Sequence, residues 1–429
     1  MNLRLRLTVL ALAGIPTMAA AADLEVDSTT LFRIEERSVP GFDDETIAPA
    51  TTFLGIDANR LGDGNLSFHL HGWGRLDLGD DSTRGGSADG DLSYAYLAYR
   101  FPVADAQVKL GRHFVYAGVA NEQLDGVSAR TDLAAGFTLS AFGGAPVRLN
   151  MTDDNKGDYV AGGRLGWRLP GYLEIGVSAL REGGIDTGPA SAIKDYRQLV
   201  GGDIWVAPFR MVEIRGHSNY NTATDGFAEH SYLLQVTPLR SLALSAEYSD
   251  YRLRDYFAST NLRSLFNPDR DENLRSYGGS ATWTIAKPVE VSADYKRINY
   301  DSPGRGNTNR YGAEARLNFL ERKLKTGLSY HRADADNSIN SYHEFRGWGL
   351  YDVSRFRGSL DAIIHRYDDG IYSEKTAYEL IGSLGYRILP ALMLSGDLSY
   401  GENPRLDSEL RGVVRLVWNY ISAAKGGSK

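Results

Sequence analysis

Apolar and polar residues alternate with a period of two along nearly the whole chain, and that period dictates strands rather than helices. The stretch "SYGGSATWTIAKPVEVSADYKR", residues 276–297, shows the unit. Tyr277, Gly279, Ala281, Trp283 and Ile285 alternate with Ser276, Gly278, Ser280, Thr282 and Thr284. Beyond Ala286, Lys287 and Pro288, the apolar Val289, Val291, Ala293 and Tyr295 alternate with Glu290, Ser292, Asp294 and Lys296. A proline between the runs has no N–H for a ladder and suits a tight reversal, so the unit is a hairpin. Its apolar face fits the core of a soluble sandwich or a lipid bilayer, and alternation by itself does not choose between them.

The connections make the choice. Hairpins of the same texture recur at "LPGYLEIGVSAL" from Leu169, "APFRMVEIRGHSNY" from Ala207, "TPLRSLALSAEYSDY" from Thr237 and "LPALMLSGDLSY" from Leu389. Between them lie longer, charged, glycine-rich segments such as "GDDSTRGGSADG" from Gly79 and "EGGIDTGPASAIKD" from Glu182. Short and long connections therefore alternate, which a soluble sandwich has no reason to do and which outer-membrane barrels do, with short turns in the periplasm and long loops outside. From residue 65 to residue 420 the pattern holds about 20 strands of the length tilted transmembrane strands require. Trp167, Trp205, Trp283 and Trp348 each fall shortly before a short turn, and Trp418 lies near the end of the last strand, as expected of an interfacial aromatic girdle. The fold expected is an all-β transmembrane antiparallel barrel in the bacterial outer membrane, over residues 65–421, in contact with membrane lipid.

The ends agree with export. Arg4 and Arg6, an apolar stretch from Leu7 to Ala13 and the small residues up to Ala22 have the form of a secretory signal peptide over residues 1–22. The chain has no cysteine, so it carries neither disulfides nor a covalent c-type haem of its own. Its 47 Lys and Arg against 54 Asp and Glu argue against a nucleic-acid partner. Residues 23–64 read either as short strands or as an extended periplasmic or lumenal segment. The final strand, "LRGVVRLVWNYI", is amphipathic and aromatic, and a polar tail follows over residues 422–429.

On these registers the inward face carries Arg164, Arg168, Glu213, Arg215, His217, Asn219, Glu290, Asp294, Lys296, Asp397 and Arg415. A barrel of this size encloses more space than its own side chains fill. Enzymatic chemistry finds no footing: no nucleophile motif stands in a strand-turn-helix context. His69 and His71 share a strand face but have no convincing third ligand, so two polar strand residues describe them better than a metal site. The charged loop at residues 254–273 is long enough to fold inward and narrow a pore, although it does not occupy the early-loop position of common trimeric porins.

Five stretches resemble one family: "PATTFLGIDANRLGDGNLSFHLHGWGRLDL" from Pro49, "NEQLDGVSARTDLAAGFTLSAFGGA" from Asn121, "QLVGGDIWVAPFRMVEIRGHSNYNT" from Gln198, "AEHSYLLQVTPL" from Ala228 and "LSGDLSYGENP" from Leu394. The resemblance is to the outer-membrane barrel component of porin-cytochrome conduits of metal-reducing bacteria, and it is one of overall texture without a catalytic signature. It implies a sheath that houses a periplasmic multihaem c-type cytochrome and docks an outer-surface one, so that electrons reach extracellular acceptors such as ferric oxides. The haem then belongs to the partners. The alternative is a passive diffusion porin for ions or small hydrophilic solutes.

Overall fold

The computed structural model describes residues 23–37, 45–80, 86–147, 158–184, 196–256, 273–301, 306–404 and 406–422. The signal-peptide segment, the C-terminal tail after Ser422 and most of the loop at 254–273 lie outside them.

The strands are β1 (Asp23–Arg37), β2 (Glu45–Ile47), β3 (Pro49–Leu61), β4 (Leu66–Asp77), β5 (Ala88–Arg100), β6 (Gln107–Ala117), β7 (Ala120–Asp132) and β8 (Phe137–Pro146). They continue with β9 (Tyr159–Leu169), β10 (Leu173–Gly183), β11 (Tyr196–Phe209), β12 (Val212–Asn221), β13 (Gly226–Leu239), β14 (Leu242–Arg252), β15 (Asn273–Ala286) and β16 (Val289–Tyr300). The last are β17 (Asn307–Phe319), β18 (Leu324–Ala335), β19 (Tyr342–Val353), β20 (Phe356–Ile371), β21 (Glu374–Leu389), β22 (Leu392–Asn403) and β23 (Leu406–Ser422).

From β3 onward each strand pairs antiparallel with its sequence neighbours, and β1 closes the ring between β23 and β3. The result is a 22-stranded barrel, with the three-residue β2 added at the far end of β1. The segment before residue 65 thus supplies two wall strands, β1 and β3, in addition to the 20 that run from β4 to β23. Closure explains why: without β1, both β3 and β23 would present an unpaired edge to hydrocarbon, where nothing satisfies backbone N–H and C=O groups.

Both described termini lie at one end, and the reversals there are short. The other end mixes long loops with tight ones. Gly118 and Val119 alone join β6 to β7, and Tyr372 and Ser373 alone join β20 to β21. The latter pair has φ of 51° and 77°, the mirror-image turn that matches strand twist.

Alternation resolves into two faces. Outside stand Val177, Leu328, Leu384, Leu398 and Val414, all exposed along the wall as a lipid-facing band must be. Inside stand paired charges. In the hairpin of β15 and β16, Trp283 is 53% exposed on the outer face, while Ser276 is 4% exposed on the inner face and shares a 2.7 Å hydroxyl contact with Ser249. Spin labels at Val291 and Glu290 should therefore report lipid and water respectively; equal accessibility to oxygen and to a water-soluble relaxant at both sites would refute the register.

Candidate functional site

The lumen contains part of its own wall. β5 pairs with β6 only from Arg100 opposite Gln107 to Ala95 opposite Arg112, although both strands continue. β7 in turn leaves β8 above Leu124. The hairpin tip between these points folds into the barrel and lies on the inner face of β8 to β11.

A row of glycines marks the crease. Gly111 on β6 stands opposite Gly126 on β7, which stands opposite Gly144 on β8. Gly111 has φ of +121°, and a Cβ there would strike the Ala95 carbonyl where β5 and β6 part. Only glycine accepts that backbone and that approach. At the tip, Gly118 has φ of +60° and sits against the Ser178 side chain.

Docking is apolar at its centre and charged at its edge. Val115, Ala117, Val119, Ala120 and Leu124 from the hairpin pack with Phe142, Val160, Leu180, Leu199 and Ala228 from the wall. The Val119 N–H donates to Ser178 Oγ at 2.9 Å in a buried bond. Arg197 on β11 reaches Glu122 on the hairpin and, at 3.1 Å, Glu182 on β10, whose side chain is 2% exposed. The opposite face of the hairpin carries Phe114 and Tyr116, whose rings stack 6.3 Å apart and are 40% and 75% exposed.

The remaining wall is a mosaic of ion pairs. Arg164 lies across Gly166 and Gly176, where any Cβ would meet its guanidinium, and so reaches Asp203 on β11 and Glu174 on β10. On the opposite arc, Glu344 receives Arg310 at 3.6 Å, His331 at 3.3 Å and His365 at 3.1 Å. Asp294 takes Arg310 and His331 from the other side, at 3.4 and 3.0 Å. Arg316 bridges Glu290 and Glu314, and Lys296 meets Glu247 at 2.7 Å. Partly exposed pairs of this kind each contribute about 0–1 kcal/mol, so their main effect is to fix where charge stands on the wall.

Other residues read from the sequence as inward make pairings along the strands. Arg168 pairs with Asp132, His217 and Asn219 share Glu229, and Arg415 meets Asp397 at 3.4 Å. Glu213 and Arg215 alternate with the exposed Ile214, and Arg215 stands opposite Trp205.

The girdle needs correcting. Trp167, Trp283 and Trp418 are on the outer face, and Trp167 Nε1 donates to the Ala135 carbonyl of a short turn. Trp205 and Trp348 are on the inner face. Trp205 sits in register with Glu174 and Arg215, and Trp348 Nε1 donates to Glu314 at 3.2 Å. Both have the parity of the charged residues beside them, Asp203 and Arg346, so the signal was in the alternation and closeness to a turn obscured it.

His69 and His71 do face the lumen. His69 pairs with Asp57 and stacks on Tyr96 at 4.8 Å, and His71 stacks on Tyr94 at 5.5 Å. Among the described residues no three His, Asp or Glu side chains converge as metal ligands. The hairpin tip was missed altogether, because its turn is too short to register as a loop.

No family model matches the chain, and no curated protein matches it in sequence. Solved structures match in fold. The ferric enterobactin receptor PfeA of Pseudomonas aeruginosa in complex with enterobactin superposes with a TM-score of 0.57 at 12% identity, over 94% of this chain and 82% of that one. The translocation pore of the usher PapC gives 0.54 at 11% identity, over 92% of this chain and 99% of that one. At such identities the likeness is one of fold: a large outer-membrane barrel.

Proposed function

We propose that the barrel is a sheath that seats a slender, charged multihaem c-type cytochrome from the periplasm and docks an outer-surface one, so that electrons cross the outer membrane to extracellular acceptors such as ferric oxides. The observation that carries this reading is the lumen itself. A closed 22-stranded wall is about 40 Å across between backbones. Side chains on facing walls leave on the order of 30 Å, and the folded-in hairpin takes about 10 Å of that on one side. What remains is about 20 Å, the width of two packed helices. Its lining of mixed charges, held in place by partners on neighbouring strands, suits the wet, charge-complementary contacts of a protein guest. Electron transfer across some 30 Å of hydrocarbon needs closely spaced cofactors, and a chain without cysteine, which holds no covalent c-type haem of its own, fits a sheath whose partners carry them. The resemblance of the five stretches quoted above to porin-cytochrome barrels supplies the identity of the guest.

The hairpin favours a second reading, a diffusion pore whose cross-section is set by that inward fold. Purification of the tagged chain in mild detergent from its native membrane separates the two. The sheath predicts stoichiometric c-type haem by staining and absorbance, released only on denaturation. A colourless single-component barrel that passes ions in a planar bilayer would overturn the sheath and leave the pore.

A further inference from the structure

The outer face of the wall differs between its two ends. Along β20 the outward residues are Phe356, Gly358, Leu360, Ala362 and Ile364, and then the series changes abruptly to Arg366 and Asp368. From Phe356 to Ile364 the strand rises about 26 Å, or about 20 Å along the membrane normal at the usual tilt. Arg366 therefore stands where hydrocarbon gives way to headgroups. It does so at the end away from the termini, which faces the outside in such barrels. At the other end the last outward row joins Val353, Phe356 and Tyr386 and holds no cation.

Arg366 belongs to a row of basic groups. Arg332 on β18 stands opposite His343 on β19, and His343 stands opposite Arg366. The first two are fixed by partners. Arg332 donates from both terminal nitrogens to Asp368, at 2.6 and 2.5 Å, and Asp334 lies 3.4 Å from Nη2. His343 Nδ1 shares a 2.9 Å hydrogen bond with the Tyr330 hydroxyl, and its Nε2 is 3.9 Å from Asp368. Lys375 donates to the Asp368 carbonyl at 2.7 Å from the adjoining strand. Arg366 is exposed and, among the described residues, pairs with no carboxylate, since Asp368 is engaged by Arg332. One step toward the hydrocarbon lies an apolar row of Tyr330, Phe345 and Ile364, with Leu328 beyond it, all exposed. The Tyr330 and Phe345 rings are 5.2 Å apart.

We propose that Arg366 and His343 bind a phosphate on the headgroup of an acylated lipid of the outer leaflet, whose chains lie on Tyr330, Phe345, Ile364 and Leu328. Side chains directly opposite on paired strands are about 5 Å apart at Cβ, so a guanidinium fork and an imidazole can engage different oxygens of one phosphate. Arg332 and Lys375 add positive charge at its edge. The apolar row beneath is what selects a lipid over a free anion, because only an acyl chain gains by covering it. This inference concerns the outside of the wall and stands whether the lumen holds a cytochrome or water.

The test titrates the full chain, purified in detergent and stripped of lipid, with lipid A, an acylated glucosamine disaccharide bearing two phosphates. Occupancy is read by native mass spectrometry. The parent should bind at least about tenfold more tightly than Arg366→Gln, the loss expected when a charge-assisted hydrogen bond is removed, and Arg366→Lys should fall between them. On the parent itself, with no substitution to disturb folding, the dephosphorylated glycolipid should bind at least about tenfold more weakly. Equal affinity of the parent and Arg366→Gln, or of the two glycolipids, would overturn the proposal and leave Arg366 a hydrated interfacial side chain. Displacement of lipid A by inorganic phosphate at equal concentration would overturn it too, by showing a site for the free anion.

Discussion

Arg197→Met is expected to free the β6–β7 hairpin and enlarge the channel. Arg197 is 11% exposed and stands between Glu122 on the hairpin and Glu182 on the wall, so its removal leaves two carboxylates facing one another in a largely buried site. Breaking a buried pair by deleting one partner costs about 3–5 kcal/mol, against a docked state otherwise held by the apolar contacts around Val115, Val119 and Leu124 and by the Val119–Ser178 hydrogen bond. Undocking returns the hairpin's share of the lumen. The open width rises from about 20 to about 30 Å, and the conductance of the purified barrel in a planar bilayer should rise roughly twofold. The triple variant Glu122→Gln, Glu182→Gln, Arg197→Met removes both carboxylate charges along with the cation and should return conductance toward the parent value, because replacing a whole buried ionic group by neutral residues is far less costly than halving it. If Arg197→Met conducts like the parent while its barrel remains folded, the hairpin does not narrow the pore.

The sequence was legible wherever period two decided the question. Strand faces followed from parity. Where parity and position along a strand disagreed, parity was right: Trp205 and Trp348 lie near turns, as girdle residues do, yet their parity sends them inward. The wall role of β1 and β3 is written in a long-range pairing, Leu24 opposite Ser422, that no local pattern carries. The crease at Gly111, Gly126 and Gly144 was hidden differently. Glycines occupy so many strand positions here that three of them become a fold line only when their strands are laid side by side in register. The short turn at Gly118 and Val119 concealed the one described hairpin that leaves the wall, and the loop at 254–273 drew attention by length alone.

Glu344→Lys is the substitution that most directly tests the ion-pair wall as a contact surface. Glu344 is the shared acceptor for Arg310, His331 and His365, so reversal places a fourth cationic or protonatable group among them and leaves Asp294 as the acceptor common to Arg310 and His331. The local charge changes by two, and the displaced Arg310 and His365 lose the geometry that holds them flat to the barrel. A guest seated by complementary charge then meets like charge where it met opposite, a mismatch that costs several kcal/mol when partly desolvated. Co-purified haem should fall by at least about tenfold, one decade for each 1.4 kcal/mol. Glu344→Gln, which keeps the size and an acceptor oxygen but not the charge, should retain an intermediate amount, and raising the salt during purification should deplete haem from the parent in the same direction. Because lumen substitutions on a wet face are tolerated better than lipid-facing ones, both variants should still insert and show the heat-modifiable gel migration of a folded barrel. Undiminished haem on a folded Glu344→Lys barrel would mean that the guest does not touch this arc of the wall, and the sheath reading would lose the surface on which it rests.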